Sequence, residues 1–147
     1  MDQFTATPVT LTVPCLPEYV SVVRLTVLGL CGRVQLSYDE VEDLRLAVGE
    51  ACATSVHRFS RSPIEDGTIT VKGTVQEDGI VLEIMDNIPL PPEPDNDDEM
   101  DLASDCDDQH LRVSLIKLLV DEVEIRAADG RGQVVRLCKY SLPSDES

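Results

Sequence analysis

Apolar positions recur along this chain with two different periods, and the changes of period divide it into elements. Residues 8–15 alternate, with Val9, Leu11 and Val13 on one side, which predicts a strand. Pro17 then opens a helix at a position where proline is tolerated. Val20, Val23, Val27 and Leu30 form its apolar stripe, and Gly32 is a natural stop. A second helix is predicted from Ser37 to about Arg58. Ser37 followed three residues later by Glu40 is the capping-box pattern, and Val41, Leu44, Val48, Cys52 and Val56 give the core face. Thr68-Ile-Thr-Val-Lys-Gly-Thr-Val alternates, Glu77-Asp-Gly79 turns, and Ile80-Val-Leu-Glu-Ile-Met returns, which is a hairpin. A third helix starts near His110, with Leu111, Leu115, Leu118 and Leu119 as its apolar positions. Val123-Glu-Ile-Arg and Val134-Val-Arg-Leu-Cys-Lys-Tyr are the last two strands, separated by turns at Asp129-Gly130 and Gly132. The predicted order is β-α-α-β-β-loop-α-β-β. That is an α+β fold, a two-layer sandwich of helices on a mixed, mostly antiparallel sheet.

The loop interrupts this regularity. Residues 87–109 carry Pro89, Pro91, Pro92 and Pro94, and nine of the chain's 28 acidic residues fall between Glu93 and Asp108. Dense like charge of this kind reads as a solvated loop or an electrostatic lure for a basic partner. Asp95-Asn-Asp97-Asp-Glu99 has a superficial likeness to a calcium loop but lacks its glycine and its final glutamate, so a calcium site is rejected.

With 147 residues the chain is read as one domain, 1–147. Its formal charge of −16 disfavours nucleic acid and anionic membranes as partners and suits a basic protein. No apolar run is long enough to span a bilayer, and no leader segment is recognisable, so a cytoplasmic protein is expected. Of five cysteines, Cys15, Cys31, Cys52 and Cys138 lie in apolar contexts and read as reduced core residues, while Cys106 lies in the acidic loop. Cys106 and His110 have a C-x-x-x-H spacing, but no second pair completes a zinc site.

Candidate chemistry centres on Glu50. It shares a helical face with Thr54, four residues on, and on spacing alone it reads as a solvated helix residue. The stretches Pro17-Glu-Tyr-Val-Ser-Val-Val-Arg24-Leu-Thr, Ser37-Tyr-Asp-Glu-Val-Glu-Asp-Leu and Val48-Gly-Glu50-Ala-Cys give it a context. With Leu115-Ile-Lys-Leu-Leu-Val-Asp121-Glu-Val-Glu-Ile and Lys139-Tyr140, they resemble the RsbW-like anti-sigma-factor serine kinases. These belong to the GHKL, or histidine-kinase-like, ATPases with the Bergerat-type fold. The resemblance spans nearly the whole chain in matching order. It implies that the long loop is a lid over ATP and that the protein is a homodimer. It further implies that a sigma factor is held through the first helix, and that a STAS-domain antagonist competes and is phosphorylated on serine.

The same resemblance assigns roles by position, and several positions depart from the family pattern. Glu50 matches the general base. Thr54 stands where the family has a magnesium-binding asparagine; a hydroxyl can ligate magnesium but is shorter than an amide. Asp86 matches the adenine-binding aspartate, but Asp86-Asn87-Ile88 replaces Asp-x-Gly. Taken without the family, Asp86 is equally a turn former at a strand end. His110 and Arg112 stand where the family has the glycines that bring bare backbone N–H groups to phosphate. Pairing of these two with loop carboxylates is favoured over a replacement anion clamp. Cys138 replaces a threonine near the end of the last strand. Arg24 matches a partner-contacting arginine. The expectation is a partner-switching regulator, a pseudokinase whose ATP and magnesium binding is weak or lost. The alternative is an active serine kinase with a rearranged pocket.

Overall fold

The computed structural model describes residues 7–90 and 111–141. The elements run β1 (Val9–Pro14), α1 (Pro17–Cys31), α2 (Tyr38–Ser60), β2 (Thr68–Gln76) and β3 (Gly79–Asp86). After the acidic stretch, residues 111–119 form a helix, α3. β4 (Glu122–Ala127) and β5 (Gln133–Tyr140) complete the set. The strands form one sheet in the order β1-β2-β3-β5-β4. Every pairing in it is antiparallel, which narrows the mixed sheet expected from the sequence.

Each element follows from its local chemistry. Pro17 is the first residue of α1. The capping box of α2 is formed in full: Glu40 N–H donates to Ser37 Oγ, and Ser37 N–H donates to Glu40 Oε1 at 2.8 Å. This satisfies two N–H groups that a helix start leaves without partners. The apolar stripes then bury the helices on one face of the sheet. Val23 and Val27 of α1, and Leu44, Val48 and Cys52 of α2, are inaccessible to solvent. Against them lie Ile69 and Val71 of β2, Ile80, Leu82 and Ile84 of β3, and Val135 and Leu137 of β5. α1 covers β1 and β2, while α2 covers β3 and β5.

α3 departs from expectation. Leu111, Leu115 and Leu118 are exposed, at 67%, 39% and 83%, while Ile116 and Val120 face the core. This helix is apolar almost all round, so its periodicity supports two faces. The face carrying the β-branched Ile116 and Val120 is the one that meets the rest of the fold. Among the described residues, no helix is long and apolar enough to cross a membrane.

Cys15, Cys31, Cys52 and Cys138 are buried free thiols, as the apolar contexts implied; Cys106 lies outside the described residues. Burial pushes the Cys15 and Cys31 thiols up to about 11 and Cys52 up to about 12. A thiol whose folded value is raised keeps its proton where the unfolded chain loses it. Its contribution to stability is therefore present below the ordinary value of 9.0 and falls as pH rises towards 11. The urea midpoint is expected to drop between pH 8 and pH 10, and to drop less in Cys52→Ala. Equal drops in the two proteins would remove Cys52 as a cause.

Candidate nucleotide site and its internal arginines

α2 presents three functional positions in succession. Glu50 projects from its middle with about a third of its side chain exposed. One turn on, the Thr54 hydroxyl donates to the Glu50 carbonyl oxygen at 3.1 Å, so it is engaged by its own helix. Ser55 and Arg58 follow, three apart on one face, and both are buried.

β3 delivers Asp86 to that face. Register fixes its direction: Ile80, Leu82 and Ile84 point into the core, and Asp86 has the same parity. A carboxylate so placed must find donors. The Arg58 Nη2 group donates to Oδ1 at 2.6 Å, and the Ser55 hydroxyl donates to Oδ2 at 2.6 Å. The backbone N–H groups of Ile88 and Gln133 also donate to Oδ1, at 3.0 and 3.3 Å. Three of the four donors converge on Oδ1 and one reaches Oδ2. Arg58 and Asp86 have side-chain exposures of 6% and 2%, so this is a buried ion pair.

Arg58 spans further. Nη2 also donates to the Ile88 carbonyl oxygen, and Nη1 donates to Gln133 Oε1 at 2.8 Å, while Nε is buried without a partner. Ile88 itself is inaccessible and packs over Gly67 beside Phe59. Gly132, at the mouth of β5, holds φ +117°, and any side chain there would collide with the Asp86 carbonyl oxygen. Glycine is required because the backbone must pass this close.

Arg112 of α3 sits over Glu50, with Nε 3.6 Å from Oε1. This contact was not visible in the sequence, which pointed Arg112 towards the loop carboxylates; those, and His110, lie outside the described residues. Between α2, α3 and the β4–β5 sheet lies a cavity of about 200 Å³, lined by Ala51, Thr54, Val113, Ile116, Ile125, Gln133 and Val135. It is smaller than the roughly 300–1,000 Å³ usual for small-molecule pockets. No group of three or more His, Cys, Asp or Glu side chains among the described residues could hold a metal. Arg24 stands apart from all of this. It is exposed on α1, with its guanidinium laid across Gly49 of α2, where a Cβ would come within 2.9 Å of Nη2.

Sequence reasoning missed Arg58, Ser55, Gln133 and Gly132. One signal was present: the inward parity of Asp86 demanded a buried cationic or hydroxyl partner.

A capped helix bearing Glu50, packed on an antiparallel sheet whose third strand ends in Asp86, is the framework of a nucleotide-binding domain. The chain belongs to the histidine kinase-like ATPase domain family, whose model matches residues 13–139. Within that family it is similar to serine-protein kinases RsbW. The protein of Bacillus pumilus (strain SAFR-032) is 33% identical over 125 residues, covering 80% of this chain and 77% of that one. The protein of Listeria monocytogenes serovar 1/2a (strain ATCC BAA-679 / EGD-e) is 35% identical over 129 residues, covering 83% and 81%. That of Bacillus subtilis (strain 168) is 33% identical over 140 residues, covering 87% and 82%.

In this arrangement the Asp86 carboxylate already accepts from four donors, the Thr54 hydroxyl donates to its own helix, and Arg112 lies over Glu50.

Proposed function

We propose that this protein is a single-domain, partner-binding regulator of the RsbW-like type, acting as an anti-sigma-factor pseudokinase. It binds a sigma factor and/or a STAS-domain antagonist, works as a homodimer, and has weak or no affinity for ATP and magnesium. One observation carries the reading: Glu50 and Asp86, the two carboxylates on which nucleotide chemistry depends, each face an arginine of this chain. The two pairs differ in weight. Glu50–Arg112 is partly exposed and long, worth at most about 1 kcal/mol. Arg58–Asp86 is buried and held by a 2.6 Å hydrogen bond, so a ligand entering at that oxygen would have to break it.

Partner contact is assigned to α1. Tyr19, Val22, Leu25 and Leu28 are exposed apolar residues of the helix that carries Arg24, with Leu28 one turn from it, and an arginine bordering an apolar surface suits an interface anchor. The second reading, an active serine kinase acting on a STAS protein, draws on the partial exposure of Glu50.

One pair of titrations separates the two. Calorimetry with MgATP should give no binding tighter than millimolar, and micromolar affinity would promote the kinase. With a cognate sigma factor or STAS protein, Arg24→Ala should weaken the complex by about 2 kcal/mol. Glu50→Ala should leave it unchanged. Full-strength binding by folded Arg24→Ala would remove α1 from the interface.

A further inference from the structure

Three aspartates of this chain are followed directly by glycine: Asp66, Asp78 and Asp129. The fold holds the first two pairs and leaves the third free. Gly67 is buried, its carbonyl oxygen accepts from the Cys15 N–H at 2.9 Å, and Phe59 and Ile88 crowd the place where a Cβ would stand. Gly79 is buried too and lies in the ladder between Gln76 and Tyr140, with the Lys139 carbonyl oxygen against its Cβ position. The preceding carbonyl oxygens are also engaged: that of Asp66 accepts from Asn87 Nδ2 at 3.1 Å, and that of Asp78 from the Ser141 N–H at 2.9 Å. Asp129 and Gly130, by contrast, are both exposed in the β4–β5 connection. The Ala128 N–H donates to the Gly132 carbonyl oxygen at 2.9 Å and closes that connection behind them, while Arg131 Nε donates to the Asn87 carbonyl oxygen at 2.7 Å. Among the described residues no hydrogen bond reaches Asp129 or Gly130 themselves. The Cβ position of Gly130, at φ +85°, has nothing within 4 Å.

We infer that Asp129 is a site of spontaneous backbone modification, at which the folded protein converts aspartate to isoaspartate. The Gly130 nitrogen attacks the carboxyl carbon of the Asp129 side chain, and the Gly130 N–H proton leaves with the carboxyl hydroxyl as water. The product is a succinimide ring. Water then opens that ring. Attack at the side-chain carbonyl restores aspartate, whereas attack at the backbone carbonyl leaves the chain running through the side-chain carbon, as isoaspartate. Atoms balance over the two steps, and no oxidant or cofactor enters. The ring closes only where the following nitrogen can turn towards the carboxyl group and no side chain blocks it. Gly130 has no Cβ and sits outside the ladder, so it meets both conditions. At Gly67 and Gly79 the same rotation would pull a buried glycine out of its packing, which requires local unfolding first. Isoaspartate adds one carbon to the backbone of the β4–β5 connection. Just beyond it, Gly132 lies against the Asp86 carbonyl oxygen and the Gln133 N–H donates to Asp86 Oδ1 at 3.3 Å. A longer connection loosens that approach, so the surroundings of Asp86 age with the turn.

The test ages the full chain, folded, in water enriched in heavy oxygen and then digests it in ordinary water. Trypsin releases residues 127–131 as one peptide, between Arg126 and Arg131. With time this peptide should separate into two chromatographic forms of the same sequence, the new one carrying one heavy oxygen. Asp-N protease, which cuts before aspartate but not before isoaspartate, should lose its cut at Asp129 while keeping those at Asp66 and Asp78. In urea all three sites should react, because only the fold distinguishes them. Asp129→Asn should reach the same ring faster, releasing ammonia in place of water. Asp129→Glu, whose ring would be larger and slower to close, should stay unmodified. Both substitutions fall on an exposed residue, so the fresh variants should melt with the fresh wild type. Aged wild type should melt lower than fresh wild type, and aged Asp129→Glu should not. Loss of the Asp66 or Asp78 cut as early as the Asp129 cut would overturn the inference. So would an unchanged 127–131 peptide in folded protein after the urea-treated chain has reacted, or an aged wild type that melts like the fresh one.

Discussion

Asp86→Ala is expected to lower the unfolding free energy by about 3–5 kcal/mol, because it strands the Arg58 charge in the interior. Two backbone N–H groups, those of Ile88 and Gln133, lose their acceptor in the same step. Ser55→Ala removes one hydrogen bond to a charged group and should cost less, about 1.5–3 kcal/mol. The double change Arg58→Met with Asp86→Leu should recover much of the loss, since apolar replacement of a whole buried pair is often neutral. Urea denaturation of the four proteins reads all of this. An Asp86→Ala loss of under about 1 kcal/mol would mean that Arg58 reaches solvent and that the pair does not close the site.

Gly132→Ala should be of similar size for a different reason. At φ +117° an L-residue is strained by about 1–3 kcal/mol, before any contact is considered. The added methyl would also meet the Asp86 carbonyl oxygen, which is backbone and has little room to move. Gly130 is the internal control, with φ +85° and open space around its Cβ position. Gly130→Ala should cost only about 1–2 kcal/mol. Thermal melts should therefore place Gly132→Ala well below Gly130→Ala. Equal melting temperatures would show that the close approach to Asp86 relaxes freely.

The local grammar of this fold was readable in its residues. Ser37 and Glu40 announced the capping box of α2, and the alternation around Glu77-Asp-Gly79 announced the β2–β3 hairpin. Such signals lie within a few residues of one another. α3 was harder, because a helix apolar on nearly every side does not state which stripe is buried. The site was legible only in part. Glu50, Thr54 and Asp86 were singled out, but what occupies them was not. Arg58 near the end of α2 reads locally as a cation complementing the helix C-terminus. Its partners are 28 and 75 residues away, and nothing local encodes that meeting. Glu50 and Arg112 likewise meet only once α3 has folded back over α2. The acidic stretch that dominated the charge reading falls largely outside the described residues, 91–110 among them.

The strand order carries a consequence for how the chain folds. β2 with β3 and β4 with β5 are local hairpins, whereas β3 with β5 and β1 with β2 join distant stretches of chain. Closing such long loops costs entropy before their contacts are gained, so the hairpins form first and the seam between β3 and β5 later. Arg58, Asp86 and Gln133 lie across that seam. Interactions absent from the transition state act on the escape rate from the native state and hardly on the rate of reaching it. In a stopped-flow chevron, the loss at Asp86 should therefore appear in the unfolding limb. The Arg58–Asp86 ion pair would then be the latch that sets the native lifetime of the molecule.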